Sequence, residues 1–561
     1  MADAATRKAF REIEKELDAL HEGLPFFQVP APNAAYALLT AFDGFYALDL
    51  AMAMVGEIDV ASTQYRKKFE DGLSQALRWV VRDPQDIDFT SISDLATIEI
   101  AGEYITHAAD YYNIADFHAM FGRKLVDVEV DQANKKVRFI PPPDQTALQS
   151  IMGYAETVEN LKNIRVVRRP QDIQPLAEEA IPFMASFEHE LVDGRVVLTN
   201  LSQLSDARIV AYSNFLLHEF EDIDPGADLS GFTVDQFQRF WSVLARWSQS
   251  AVQIYFTRAS SGTPQNQCMP TQCVPKDKFI TAVSDLSGLD VPVVTAITER
   301  LRWGPSITNP DIFLQPLVVG ANTVLWSPRV IDISRYPRNL LRLITKLIGP
   351  VKDVADNLIG DREIPATKRL GLFLANKERK GWQYKLRRKV AADGEKGEID
   401  YLGWNSSCWE EVLLIEYKAT LDVDEINEVN SATDEMIIGQ TQLERCIRIL
   451  GKLSVAEKRA LYPFVPWDKI KKIYGIVVSS GCEPNEKYDH SVMPGISAAA
   501  LYSRVPKKDF VRPSRLSKSC QERSWLSQLN DLDHSEHEVK IGPLTYCLPS
   551  LTSRDENDTA A

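Results

Sequence analysis

Asp400, then fifteen residues, then Glu416-Tyr417-Lys418 places two carboxylates and an amine within one short stretch of the chain. Side chains two apart on a strand share a face, so Glu416 and Lys418 project together, and a hairpin in suitable register brings Asp400 beside them. Carboxylates crowded in this way repel unless a cation joins them. An all-oxygen set with few protein donors suits Mg²⁺ or Mn²⁺. Two acids on a divalent cation, with an ammonium alongside, are equipment for hydrolysing a phosphodiester. Glu-x-Lys is also a common surface triplet, solvated and salt-bridged. What favours chemistry here is the apolar run Val412 to Ile415 before it, because charges that end a buried strand need a reason to be there.

The elements that must position these residues follow from periodicity. Gly397 to Gly403 and Val412 to Ala419 alternate as strands, and the short polar segment between them predicts an antiparallel hairpin. A helical stretch within 353–380 and a strand at Trp382 to Val390 precede the hairpin. A helix from about Thr433 to Leu453 and an apolar strand at Ile473 to Ser479 follow it, so the expected order is α-β-β-β-α-β. The late helix has a buried stripe of Met436, Leu443, Ile447 and Leu450, and Gln440 falls within it. A buried amide must be satisfied, by a site or by local backbone. Between Asp361 and Glu398 there are eleven Lys or Arg against six Asp or Glu, and between Arg504 and Arg523 seven against two. Lys385, Arg387 and Lys389 alternate on the strand before the hairpin and are candidates for holding phosphates, with Arg388 on the opposite face.

Asp400 with Glu416-Tyr417-Lys418, in the wording Gly-Glu-Ile-Asp followed by Leu-Leu-Ile-Glu-Tyr-Lys, resembles the PD-(D/E)XK nuclease superfamily, the restriction-endonuclease-like fold, and its Mrr-like members. Ile399 stands where the superfamily's name has proline. The resemblance implies a Mg²⁺-dependent DNA endonuclease (Mn²⁺ possible, RNA an open alternative) acting in restriction or antiviral defence. It further implies Asp400 and Glu416 as metal ligands, Lys418 as the catalytic amine and Gln440 as a supporting site residue. A third acid is expected from the first core helix, with Glu363 as first choice and Glu378 second. Glu398, on the expected face of Asp400, is the alternative.

The remainder bounds the picture. At 561 residues, 45% of them hydrophobic and 25% charged, the chain is long enough for several domains, and its net charge of −15 confines any nucleic-acid site to a local patch. The absence of an apolar leader or spanning run, with seven scattered cysteines, leads to the expectation of a cytoplasmic protein with reduced thiols. The pattern divides into a mostly helical region at 1–147 with a hairpin near 125–140, a mostly helical region at 148–350, a nuclease-like α/β domain at 351–510, and a basic-then-acidic tail at 511–561, expected to fray from Asp531 onward. The fold class is thus multidomain and mixed. The helical regions are the expected surfaces for a partner protein or a homo-oligomer, and residues 276–303 read as a helix-turn-helix-like pair with Asp290 as N-cap. Cys268 and Cys273 lack a second ligand pair for zinc, and the acids around His534 and His537 read as solvated. No phosphate-binding loop, nucleophile elbow or His-Glu-x-x-His motif occurs. The competing class is a non-enzymatic nucleic-acid-binding or assembly protein on a nuclease-like fold.

Overall fold

The structure, a computed structural model, describes residues 4–54, 60–81, 95–141, 147–148, 150–151, 170–216, 223–264, 267–304, 307, 309–334, 338–346, 358, 360–375, 381–420, 428–523 and 532–553. It is a mixed α/β, multidomain arrangement. Helices α1 (Ala4–Ala19), α2 (Ala31–Met54), α3 (Val60–Val80) and α4 (Leu95–Gly122) lead into the hairpin β1 (Asp127–Asp131) and β2 (Lys136–Ile140). Next come α5 (Pro170–Ala185), the hairpin β3 (His189–Val192) and β4 (Arg195–Leu198), α6 (Ala207–Leu216) and α7 (Val234–Ser260), which starts in a Thr233/Gln236 capping box. β5 (Gln272–Pro275), α8 (Lys276–Ser287), α9 (Val291–Arg300), β6 (Val318–Val319), β7 (Thr323–Trp326), α10 (Pro328–Ile333) and α11 (Arg338–Lys346) complete the middle. The rest comprises α12 (Glu363–Ala375), β8 (Trp382–Ala392), β9 (Glu395–Asn405), β10 (Glu411–Lys418), α13 (Glu428–Lys452), α14 (Val455–Leu461), β11 (Lys472–Ser479), β12 (Gly495–Ser497), α15 (Ala498–Ser503), α16 (Pro513–Glu522), β13 (Leu532–Ile541) and β14 (Leu544–Ser553).

The cores cross the boundaries expected from sequence. One joins α2, α3 and α4 to Trp303, Ile312, Val318, Leu325, Val330 and Ile333, so residues before and after 147 share an interior. Asp43, 2% exposed on α2, ties this core together: its carboxylate accepts the hydroxyls of Thr271 and Ser327 and the N–H of Arg329. Residues 511–523 and 532–553, the described part of the expected tail, are packed. α16 buries Leu516 and Cys520 in the α/β core, and β13 and β14 form a hairpin that joins β1 and β2 in one sheet ordered β1-β2-β14-β13. The polar residues of β13 that suggested a solvated tail are ion partners, Glu536 to Arg138 at 2.6 Å and Glu538 to Lys136 at 2.7 Å. Leu544, Tyr546 and Leu548 of β14 supply the apolar face, beside Val137 and Phe139 of β2.

The helix-turn-helix-like pair exists as α8 and α9, bent by 115° around Gly288, whose φ of 65° suits a residue without Cβ. Asp290 occupies the N-cap without a side-chain capping bond. Much of the pair's positive charge is engaged: Lys276 and Arg302 pair with Glu299 at 3.0 and 2.8 Å and Arg300 lies over the Phe232 ring, while Lys278, Val291 and Pro292 are exposed. Among the described residues no single helix is long and apolar enough to cross a membrane.

Asp400, Glu416 and Lys418 lie on a five-stranded sheet ordered β12-β11-β10-β9-β8. β8, β9 and β10 are antiparallel, whereas β10 and β11 are parallel, with α13 in the crossover between them. Helices α12 and α16 cover one face, through Ala366, Leu370 and Leu516. α13 covers the other, through Met436, Leu443 and Cys446.

Candidate active site

A regular strand would send Ile399 and Tyr401 to the same face, but here Ile399 packs under α13 while Tyr401 packs on the α12 side, with Leu402 again under α13. The alternation breaks at Asp400. On β8 the same happens opposite: Leu386 pairs with Tyr401 and Arg388 with Ile399, the Arg387/Asp400 position is skipped, and Arg387 has a φ of 45°. Leu386 then faces α12 while Val390 faces α13. β9 also parts from β10 here. Their pairing ends at Ile415 with Tyr401, and the Tyr417 N–H is taken by Asp400 Oδ2 at 3.0 Å. The carboxylate thus satisfies a backbone donor that the splayed ladder leaves open.

Glu416 and Lys418 extend from β10 on the α13 side. Both acids are 5% exposed, and Lys418 Nζ sits 2.9 Å from Glu416 Oε1. Gly439 explains how a helix can lie over the amine: a Cβ there would meet Lys418 Cε at 3.0 Å, so only glycine lets α13 rest on the lysine stem without displacing it. The end of β10 is pinned by hydroxyls. Thr420 Oγ1 and Ser479 Oγ are 2.7 Å apart, Gly481 N–H donates to Thr420 Oγ1 at 3.0 Å, and Ser480 N–H donates to the Lys418 carbonyl at 2.9 Å.

Burial and mutual repulsion dominate the electrostatics. Burial raises the Asp400 carboxyl, against the Tyr417 N–H and the charges of Lys418 and Arg387. Glu416 is pushed up to about 7, first by burial and then by the Asp400 charge, with Lys418 opposing. Burial alone would lower Lys418, yet Glu416, Glu363 and Asp400 together hold it above its ordinary value. Glu363, in the first turn of α12, is raised chiefly by burial, eased by Lys418 and raised further by Asp400; its Oε1 lies 3.5 Å from the Ala419 N–H. It is therefore the third acid that borders the pair. Glu398 instead binds Arg387 at 2.8 Å, and Glu378 lies outside the described residues.

These residues fit a divalent cation. Glu416 Oε2 is buried with no hydrogen-bond partner, two carboxylates repel across the site, and the donors are hard oxygens. Among the described residues no three His, Cys, Asp or Glu side chains form a closed ligand set, so a cation held here would draw its other ligands from water or substrate, as Mg²⁺ sites usually do.

A stability consequence follows from the sign of the Glu416 shift. Because its folded value lies above the unfolded one, the folded chain binds more protons between them, and stability falls as pH rises from about 4.5 towards 7. Glu416→Gln should therefore gain on wild type by up to about 2 kcal/mol between pH 5 and pH 8 in urea melts without divalent cation. A difference independent of pH would contradict the shift.

Several expected members are placed elsewhere. The Gln440 amide is buried, but its Nε2 donates to the Asp489 carbonyl at 3.3 Å rather than to Asp400, Glu416 or Lys418, so backbone satisfies it. Lys385, Arg387 and Lys389 do not share a face, because the alternation breaks at Arg387. Tyr384 and Leu386 pack towards α12, which puts Lys385 on the α13 side. Val390 packs towards α13, which puts Arg388 there as well and Lys389 opposite. The 504–523 island is partly consumed, with Lys518 paired to Glu522 at 3.4 Å and Arg523 buried near Glu483. Gly439 escaped the sequence reading, although a glycine inside an amphipathic helix, beside its buried stripe, signals a close neighbour. No protein-family model, curated protein or solved structure matches this chain.

Proposed function

We propose that the chain is a divalent-metal-dependent nuclease of the PD-(D/E)XK kind, cleaving phosphodiester bonds, most simply in DNA, with restriction or antiviral defence as its setting. The observation that carries this reading is the junction of Asp400, Glu416 and Lys418 at the point where β9 leaves the ladder, with one Glu416 oxygen buried and unpartnered. The element order from α12 to β11 and the strand pairing around the junction support a restriction-endonuclease-like core.

Asp400 and Glu416 would hold Mg²⁺ or Mn²⁺, which supplies activation of a water and neutralisation of charge on the phosphate. The protein's own groups do the rest. The Tyr417 N–H fixes the Asp400 carboxylate before substrate arrives, so no reorganisation is needed during the reaction. Lys418, kept protonated by three nearby carboxylates, presents its ammonium to a phosphate oxygen or to the attacking water, and the Gly439 surface restricts where that ammonium can go. Glu363, beside the pair, adds a carboxylate whose charge favours binding of a cation.

The test is nicking of supercoiled plasmid by purified protein with Mg²⁺ or Mn²⁺, against EDTA. Metal-independent cutting, or none with either metal on DNA or RNA, defeats the reading and leaves a binding or assembly role.

Backbone binding should rest on the cations that share the α13 side. Lys385→Gln with Arg388→Gln is expected to flatten the log-log salt dependence of DNA affinity by about 1.8, two phosphates' worth, equally for unrelated sequences. Lys389→Gln alone should change it less. Titrations at several salt concentrations in EDTA decide, and an unchanged slope in the double variant would make β8 a merely solvated edge.

A further inference from the structure

Arg7, Phe10, Arg11 and Glu14 recur at three- and four-residue spacing and so share a face of α1. With His118 and Phe121 of α4 and Lys124 and Asp127 of the turn into β1, they line a cleft of about 380 Å³, a size in the range of small-ligand sites. No residue of the Asp400 site takes part. The inner wall is apolar: Phe10, 4% exposed, lies on the His118 ring with centroids 4.3 Å apart and meets Phe121 edge-on at 5.0 Å. The rim is cationic. Arg7, Arg11 and Lys124 are exposed, and none is ion-paired among the described residues. The two acids in the lining are engaged, Glu14 with His118 Nδ1 at 3.3 Å and Asp127 through Oδ1 with the Val128 N–H at 3.0 Å.

Two of these cations sit where local physics disfavours them. Arg7 stands in the first turn of a helix, where the backbone already places partial positive charge and, among the described residues, no acid offsets it. Lys124, with a φ of 65°, is the left-handed residue that closes α4, its N–H donating to the Phe121 carbonyl and that of Leu125 to Met120. Glycine fills that position at least cost. Both placements raise the positive potential over one cleft in a chain of net charge −15. A multiply charged anion relieves both, and guanidinium forks match phosphate oxygens in pairs.

We propose that this cleft binds a small phosphate-bearing ligand no larger than a mononucleotide, with Arg7, Arg11 and Lys124 on the phosphate and the Phe121 side against the remainder. The site is independent of the nuclease reading, and its test does not involve cleavage.

Calorimetric titration of the full chain in EDTA with AMP, inorganic phosphate and adenosine examines it. AMP and phosphate should bind and adenosine should not; AMP binding more tightly than phosphate marks a nucleotide site, and equal affinities mark a site for the bare anion. Arg11→Gln and Lys124→Gly should each weaken binding about tenfold, the loss of one charge-assisted contact. Lys124→Gly should also melt no lower than wild type, since glycine suits the backbone there, which separates lost charge from lost fold. The proposal is overturned by adenosine binding as tightly as AMP, by no saturable heat with millimolar AMP and phosphate, or by affinities unchanged in both variants.

Discussion

Asp400→Asn should reduce metal-dependent nicking about a thousandfold, the loss of roughly 4 kcal/mol of transition-state stabilisation, while the fold survives. Asparagine is the informative choice because its carbonyl can still accept the Tyr417 N–H that Asp400 now accepts at 3.0 Å. Alanine would leave that donor without an acceptor and mix a stability cost of about 1–3 kcal/mol into the result. Lys418→Met is the companion. Its side chain keeps an unbranched stem beside Gly439 but removes the ammonium 2.9 Å from Glu416, so the buried carboxylate loses its counter-charge and titrates higher still. A similar loss in nicking is expected. Mn²⁺ affinity, read by titration, should fall in Asp400→Asn, and circular dichroism should be unchanged in both. If both variants cut within tenfold of wild type, the chemistry is not theirs.

Asp43→Ala is expected to be the most damaging substitution outside the site. The carboxylate is buried and takes three donors, from Thr271, Ser327 and Arg329, which belong to segments more than two hundred residues away in sequence. Removing it orphans a backbone N–H and two hydroxyls at the junction of α2 with β7 and α10, at a cost of about 3 kcal/mol or more. Asp43→Asn should cost less, since one oxygen remains and the Thr271 hydroxyl can turn to accept from the amide. Urea denaturation of the three proteins at pH 7 decides the order; equal stability of Asp43→Ala and wild type would mean the donors find other partners. Burial pushes Asp43 up to about 7, so the stability that its protonated form lends the fold is lost as pH climbs from about 4 through that value, and the gap between Asp43→Asn and wild type should narrow or reverse at higher pH.

The site was legible to the extent that its residues obey simple periodicity. Glu416 and Lys418 do, on a strand whose apolar neighbours at 412–415 announce its burial, and the helices and strands from 363 to 479 lie close to where the hydrophobic pattern puts them. Asp400 and Arg387 do not. The exchange of faces at those two residues is set by tertiary packing on both sides of the sheet, which favours Ile399 under α13 and Tyr401 under α12 at the expense of regular pleating, and no alternation rule can foresee it. The grouping of Lys385, Arg387 and Lys389 failed for that reason. Gln440 was rightly read as buried, but its partner is the carbonyl of Asp489, a choice that depends on a loop fifty residues later. The tail was misread because its charges were assessed alone. Glu536 and Glu538 are solvated as their composition suggests, yet Arg138 and Lys136 are set beside them by a strand pairing that spans nearly the whole chain.

That pairing bears on how the protein is made. β2 borders β14 through Lys136 to Arg138, so one side of the first hairpin has no partner until β14 has left the ribosome, about 400 residues and on the order of a minute later. Until then an unfilled strand edge is open to mispairing with a neighbouring nascent chain. Its guard is chemical: Lys136 and Arg138 on that strand carry like charges that discourage a second copy, and the hairpin whose β14 completes the edge brings, on β13, Glu538 to Lys136 and Glu536 to Arg138. The N-terminal module is therefore completed only once β14 is available, and α13, whose Val429 and Ala432 pack into that module, takes its final support at the same moment.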